Sequence, residues 1–128
     1  MTYHFEKEKI LPHDIFFAEH YDFNGNKIGH YFYCVYSQEI DKNNDLFRDV
    51  VGLLITTKNV SGYTCPINLN GKPSYVCCDR AIRFIAEVGR VQRKYLKIPM
   101  KIRKEILKTY NIYRKETQRQ LKRELYRK

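Results

Sequence analysis

Residues 31–37, YFYCVYS, and residues 50–56, VVGLLIT, decide the fold. The first is dense in aromatic and β-branched side chains and the second is a nearly continuous apolar run, so both read as buried strands. Between them Gln38 to Asp49 is polar, with Asp41 to Asp45 as its turn-prone centre. Upstream, Asp14 to His20 (DIFFAEH) follows Leu11-Pro12, where proline favours an extended backbone, and reads as a further strand. Asn24-Gly25-Asn26 and Gly29 supply the turn that sets these two strands antiparallel. Downstream, Tyr63 to Leu69 (YTCPINL) and Ser74 to Cys78 (SYVCC) flank a turn at Asn70-Gly71-Lys72-Pro73. Five or six short strands within about 80 residues predict a small curled antiparallel sheet or partly open barrel, with no room for parallel crossovers.

The period then changes. Asp79 to Glu87 predicts a short strand ending near Ile85, which leads into Val88 to Tyr95 as a basic connector or short helix. Pro99 marks a helix start, and Met100 to Tyr126 holds neither Gly nor Pro. Ile102, Ile106, Tyr110 and Tyr113 fall at helical spacing, with Leu107 beside them. Past Tyr113 the stripe thins, and only Leu121 and Leu125 carry it onward. The first half of this helix is expected to dock on the sheet and the second half to project or meet a partner. The 128 residues thus predict one mainly β (α+β) domain, a barrel over about 10–90 and a long basic helix over about 99–126.

Charge is unevenly placed. Residues 1–89 hold 9 Lys/Arg against 11 Asp/Glu, whereas residues 90–128 hold 15 against 3. An anionic partner therefore meets the C-terminal segment first, and nucleic acid, an acidic protein and a membrane surface are the candidates. The membrane is the weakest of these, because the apolar stripe fades where charge is densest. No apolar run approaches the roughly 18 residues of a membrane span, and the N-terminus carries charges of both signs, which predicts a cytoplasmic protein. Cys34, Cys65, Cys77 and Cys78 lie mostly in strand-like runs without Cys-x-x-Cys spacing, so buried thiols are expected rather than a disulfide frame or a zinc site. No cofactor is called for.

The ordered series Pro12-His13-Asp14-Ile15, a loop from Gly25 to Gly29, Tyr31 to Ser37, Val50 to Thr56, Ser74 to Val76 and Ile82-Arg83 resembles the MazF/PemK toxins over roughly Ile10 to Tyr113. The resemblance implies an SH3-like barrel of the CcdB/PemK type, a homodimer, metal-independent cleavage of single-stranded RNA, and neutralisation by a small antitoxin protein. Related toxins poison gyrase, though no residue here points to a protein target. The chain departs from the family at two places. His13 stands where Gly is usual, which predicts a differently shaped first turn, and His30-Tyr31 stands where Arg-Pro is usual.

Cutting RNA without a metal requires a base for the 2′-hydroxyl, an acid for the leaving 5′-oxygen and donors for the charged phosphorane. His30, at a strand entrance beside a flexible loop, has an imidazole that can exchange a proton near neutral pH, although an exposed strand-edge histidine titrates there too. Lys27 is placed to stabilise phosphate charge, and Lys58 joins it as an RNA-binding candidate. The resemblance assigns Thr56 a hydrogen bond to the scissile phosphate, Arg83 a catalytic role and Asp79 a place near an acidic position of PemK-type members. As residues alone, Thr56 is an ordinary strand threonine and Arg83 an equally good ion-pair partner. Tyr31 and its aromatic neighbours could stack on bases or fill the core. His20 is a reserve acid or base; His4 and His13 attract no role. A non-catalytic nucleic-acid-binding module on the same barrel is the alternative reading.

Overall fold

The computed structural model describes residues 10–21, 24–41, 44–59, 62–69, 71–87, 92–94 and 98–126. Among these residues six strands and one helix follow in order: β1 (Ile15–Tyr21), β2 (Lys27–Asp41), β3 (Asn44–Thr56), β4 (Thr64–Leu69), β5 (Lys72–Glu87), β6 (Gln92–Lys94) and α1 (Met100–Tyr126). The strands form one sheet in the order β4-β5-β3-β2-β1-β6, and every neighbouring pair is antiparallel. Gly25 and Gly71 take φ of 80° in the turns before β2 and β5, a left-handed conformation that glycine adopts without steric cost. Pro66 sits in β4, an edge strand, where a missing backbone donor is tolerated.

Two expectations are corrected in extent. The polar stretch Gln38 to Asp49 is not a loop: β2 continues to Asp41 and β3 begins at Asn44, so most of it forms the arms of a long hairpin. Likewise Ser74 to Cys78 and Asp79 to Glu87 are one strand of 16 residues. Of the basic connector, Gln92–Lys94 is a strand paired to β1, and its remaining residues lie outside those described.

Both faces of the sheet are buried. On one, Ile15, Tyr33, Leu53, Ile55, Val76 and Cys78 pack with Ile98 and Ile106 of the helical segment. On the other, Phe16, Ala18, Phe32, Cys34 and Val50 pack with Ile10. Phe16 and Phe32 are direct cross-strand partners whose rings stack at 5.6 Å. Ile10 is pinned over this second face because its carbonyl accepts from the Ser37 hydroxyl at 2.6 Å, and that hydroxyl accepts from buried Arg48 Nε at 2.7 Å. Gly52 lies beneath the aromatic pair, where an added Cβ would sit 2.9 Å from Phe32 Cβ. The β3–β5 ladder jumps from Leu53↔Ala81 to Ile55↔Val76, an irregularity of the kind that bends a sheet.

The helix begins where proline placed it, with Arg103 N–H donating to the Pro99 carbonyl at 3.0 Å. Ile106 is fully buried, and Ile102 and Tyr110 pack beside it. Leu121, Leu125 and Tyr126 are exposed, so the second half of the helix projects. No helix of the described residues is long and apolar enough to cross a membrane. Ile106→Ala is expected to cost about 2–5 kcal/mol, and Leu121→Ala no more than about 0.5 kcal/mol, as measured by urea denaturation. Equal losses would show that the helix is not anchored at Ile106.

The first turn places a histidine in an uncommon conformation. His13 has a φ of 74°, its N–H donates to the Cys34 carbonyl at 2.8 Å, and Cys34 N–H returns a bond to Asp14 at 2.9 Å. The histidine thus holds a left-handed backbone, the region that glycine enters most readily. Its Nδ1 lies 2.5 Å from the Tyr33 hydroxyl. Burial, then the Arg103 charge, holds the imidazole below its ordinary value of 6.5, while Asp14 opposes them. The unfolded chain therefore takes up the proton first as pH falls. The stability this contributes is present above about pH 6.5 and is lost as pH drops through the folded value. His13→Asn tolerates positive φ but cannot titrate. It is expected to lose less stability than the native protein between pH 7 and about 5, a difference read from thermal melts at each pH; parallel losses would rule out this linkage.

Candidate functional site

The β2–β3 register, continued by one residue beyond Tyr31↔Ile55, sets His30 opposite Thr56. The β2–β3 ladder pairs Phe32 with Leu54 and Tyr31 with Ile55, so His30 and Thr56 are the next residues outward on their strands. Alternation places both on the face opposite Tyr31 and Ile55, with Cβ atoms about 5 Å apart in such a position. The half-buried His30 ring meets the Phe32 ring edge-on at 6.3 Å, which places it on the same face as the Phe16–Phe32 stack. The half-buried Thr56 hydroxyl donates to the Lys58 carbonyl at 2.7 Å and lies 3.7 Å from Cys77 Sγ. An imidazole and a hydroxyl therefore flank one spot on the second face, beside exposed Lys58. For Thr56 to donate to a ligand, its hydroxyl must rotate away from the Lys58 carbonyl.

Arg83 does not join them. It is paired with Val51, which is paired with Tyr36, and these three share the helix-side face. Its Nε and Nη2 donate to Asp49 Oδ1 and Oδ2 at 3.0 and 2.5 Å. This fork holds the Asp49 carboxyl below its ordinary value and raises Arg83 further. Tyr31 is half-buried, packs against the helix-side core and meets Phe17 edge-on at 5.1 Å. Asp79 is half-buried, with Oδ1 enclosed and without a hydrogen-bond partner among the described residues. Its charge is felt at Tyr63 and Cys78, which places it by the helix. Lys27 and His20 lie on β2 and β1, and their side chains fall outside those described.

The four cysteines are free and buried. Burial pushes the Cys34 thiol up to about 12, which keeps it protonated and inert. Cys78 is raised by its contact with Cys65 and by burial. No group of three or more His, Cys, Asp or Glu among the described residues is placed to hold a metal ion.

Sequence reasoning missed the edge of the helix. A cavity of about 140 Å³ lies between Pro12, His13, Tyr33, Val35, Ile106 and Leu107. A second, of about 410 Å³, shares Val35 and is lined also by Tyr36, Val51, Arg83, Tyr110 and Arg114. Residues this far apart in the chain meet only through the docking of α1, and no local motif marks them. No family model, curated protein or solved structure matches the chain.

Proposed function

We propose that the protein is a toxin-type endoribonuclease, similar to the MazF/PemK toxins, that cuts single-stranded RNA without a metal. The observation that carries this reading is the β2–β3 register, which continued by one residue sets His30 and Thr56 on one face of adjacent strands. His30 takes the proton of the 2′-hydroxyl, the 2′-oxygen attacks its own phosphorus, and the bond to the 5′-oxygen breaks. Water supplies the proton that the departing 5′-oxygen gains. Thr56 donates to a non-bridging oxygen as charge builds on the phosphorane, and exposed Lys58 attracts the neighbouring phosphate. The cationic helix gathers the polyanion, and a small acidic antitoxin would be drawn by the same field. An SH3-like barrel and a homodimer belong to this reading.

A specific observation favours a second reading, a nucleic-acid-binding module without catalysis. The guanidinium that the resemblance assigns to the site is tied to Asp49 on the opposite face. Long single-stranded RNA incubated with the protein and EDTA separates the two. Cleavage is expected to leave 2′,3′-cyclic phosphate and 5′-hydroxyl ends, and His30→Ala is expected to slow it by about 10²- to 10⁴-fold with an unchanged circular dichroism spectrum. Full activity in that variant removes His30 from the mechanism. Salt-sensitive retardation of intact RNA by the native protein favours the second reading.

A further inference from the structure

We propose that the groove where α1 meets the β2–β3–β5 surface is a binding site for single-stranded nucleic acid, in which Tyr36 and Tyr110 take bases and Arg83 and Arg114 hold phosphates. The site shares only its ligand class with the cleavage reading, since it lies on the face of the sheet away from His30 and Thr56. The larger cavity has an apolar floor from Val35 and Val51, two tyrosine rings and two guanidinium groups, in about 410 Å³. A base needs a flat partner, and a phosphate needs a cation with several donors. Both are present here, on either side of one compartment.

The groups are held in place before any ligand arrives. The Tyr36 hydroxyl donates to Gln38 Oε1, which orients a ring that is 40% exposed. The Arg114 guanidinium lies over the Tyr110 ring, 5.6 Å from its centroid. Arg83 spends two of its five N–H donors on Asp49 and has a side chain 72% exposed, leaving three donors for an anion. A second cavity of about 330 Å³, lined by Ile40, Asp49, Arg83 and Ile85, adjoins the first, and Arg83 belongs to both. Arg83 therefore stands between two compartments, where the phosphate linking two nucleosides would lie.

The helix adds a matching field, with nine Lys/Arg against three Glu between Met100 and Tyr126. An acidic peptide would satisfy the charges but would leave the two rings and the apolar floor unused.

The test measures fluorescence anisotropy of a short labelled oligodeoxythymidylate, which lacks the 2′-hydroxyl and cannot be cut by internal attack. Tyr36→Ala is expected to weaken binding by about 5- to 100-fold, while Tyr36→Phe keeps it. Arg114→Ala is expected to weaken binding and to lower the slope of log K against log salt by about 0.7. Arg119→Ala removes the same charge farther along the helix and is the control. If Tyr36→Ala binds like the native protein, or if Arg119→Ala weakens binding as much as Arg114→Ala, the groove is not the site. Equal competition by polyglutamate, undiminished in Tyr36→Ala, overturns the proposal as well. Any of these failures leaves the RNA-cleavage reading standing, because that is judged from the ends of cut RNA.

Discussion

A six-stranded sheet has two faces to cover, and the described residues include one helix to pack on it. α1 covers only the face that carries Tyr33, Leu53 and Ile55. Among the described residues, the other face buries Phe16, Phe32, Cys34 and Val50 with the segment at Ile10 drawn across it. Curvature helps to close this second core. It comes from breaks in register at Val35 and opposite Leu54, and from Gly52, whose missing Cβ lets Phe32 and Phe16 approach the strand beneath them. The double burial also explains why β2 reads as an unbroken aromatic run instead of alternating with polar residues.

The same constraint separates what the sequence reveals from what it hides. The core of each strand was legible because most of Tyr31 to Ser37 and Val50 to Thr56 is buried or half-buried on both faces and carries that burial in its composition. The helix was legible from Pro99, from the absence of Gly and Pro, and from the stripe ending near Tyr113. The hairpin arms Gln38–Asp41 and Asn44–Asp49 were not, because they extend beyond the core and their polarity resembles that of a loop. Asp79 to Glu87 was divided from Ser74 to Cys78 because the break in register lies within the strand and interrupts its alternation.

For the candidate site, cross-strand position was within reach and facing was only partly so. Thr56 ends β3 and His30 lies near the start of its neighbour β2, so their proximity follows once those strands are paired. Arg83 was placed with them by resemblance, and its partner Asp49 is separated from it by a hairpin turn and a whole strand in sequence. His13 was legible only as a departure from the glycine usual at that turn, because its bond to Tyr33 leaves no mark on the residues beside it.

The extra residue at Val35 gives the two faces of β2 their different work. Counting by twos, His30, Phe32, Cys34 and Tyr36 would all point the same way. The register shift between Cys34 and Tyr36 reverses the count, so that Tyr36 joins Val35, Val51 and Arg83 on the helix side while Ser37 turns inward to hold Ile10. Without that shift Tyr36 would crowd the surface that carries His30, and the groove beside α1 would lose its exposed ring. One irregularity thus contributes to the bend that closes the second core and supplies an aromatic group to the face where the helix brings its charge. The curvature that makes the fold possible and the asymmetry that gives it two distinct surfaces share a cause.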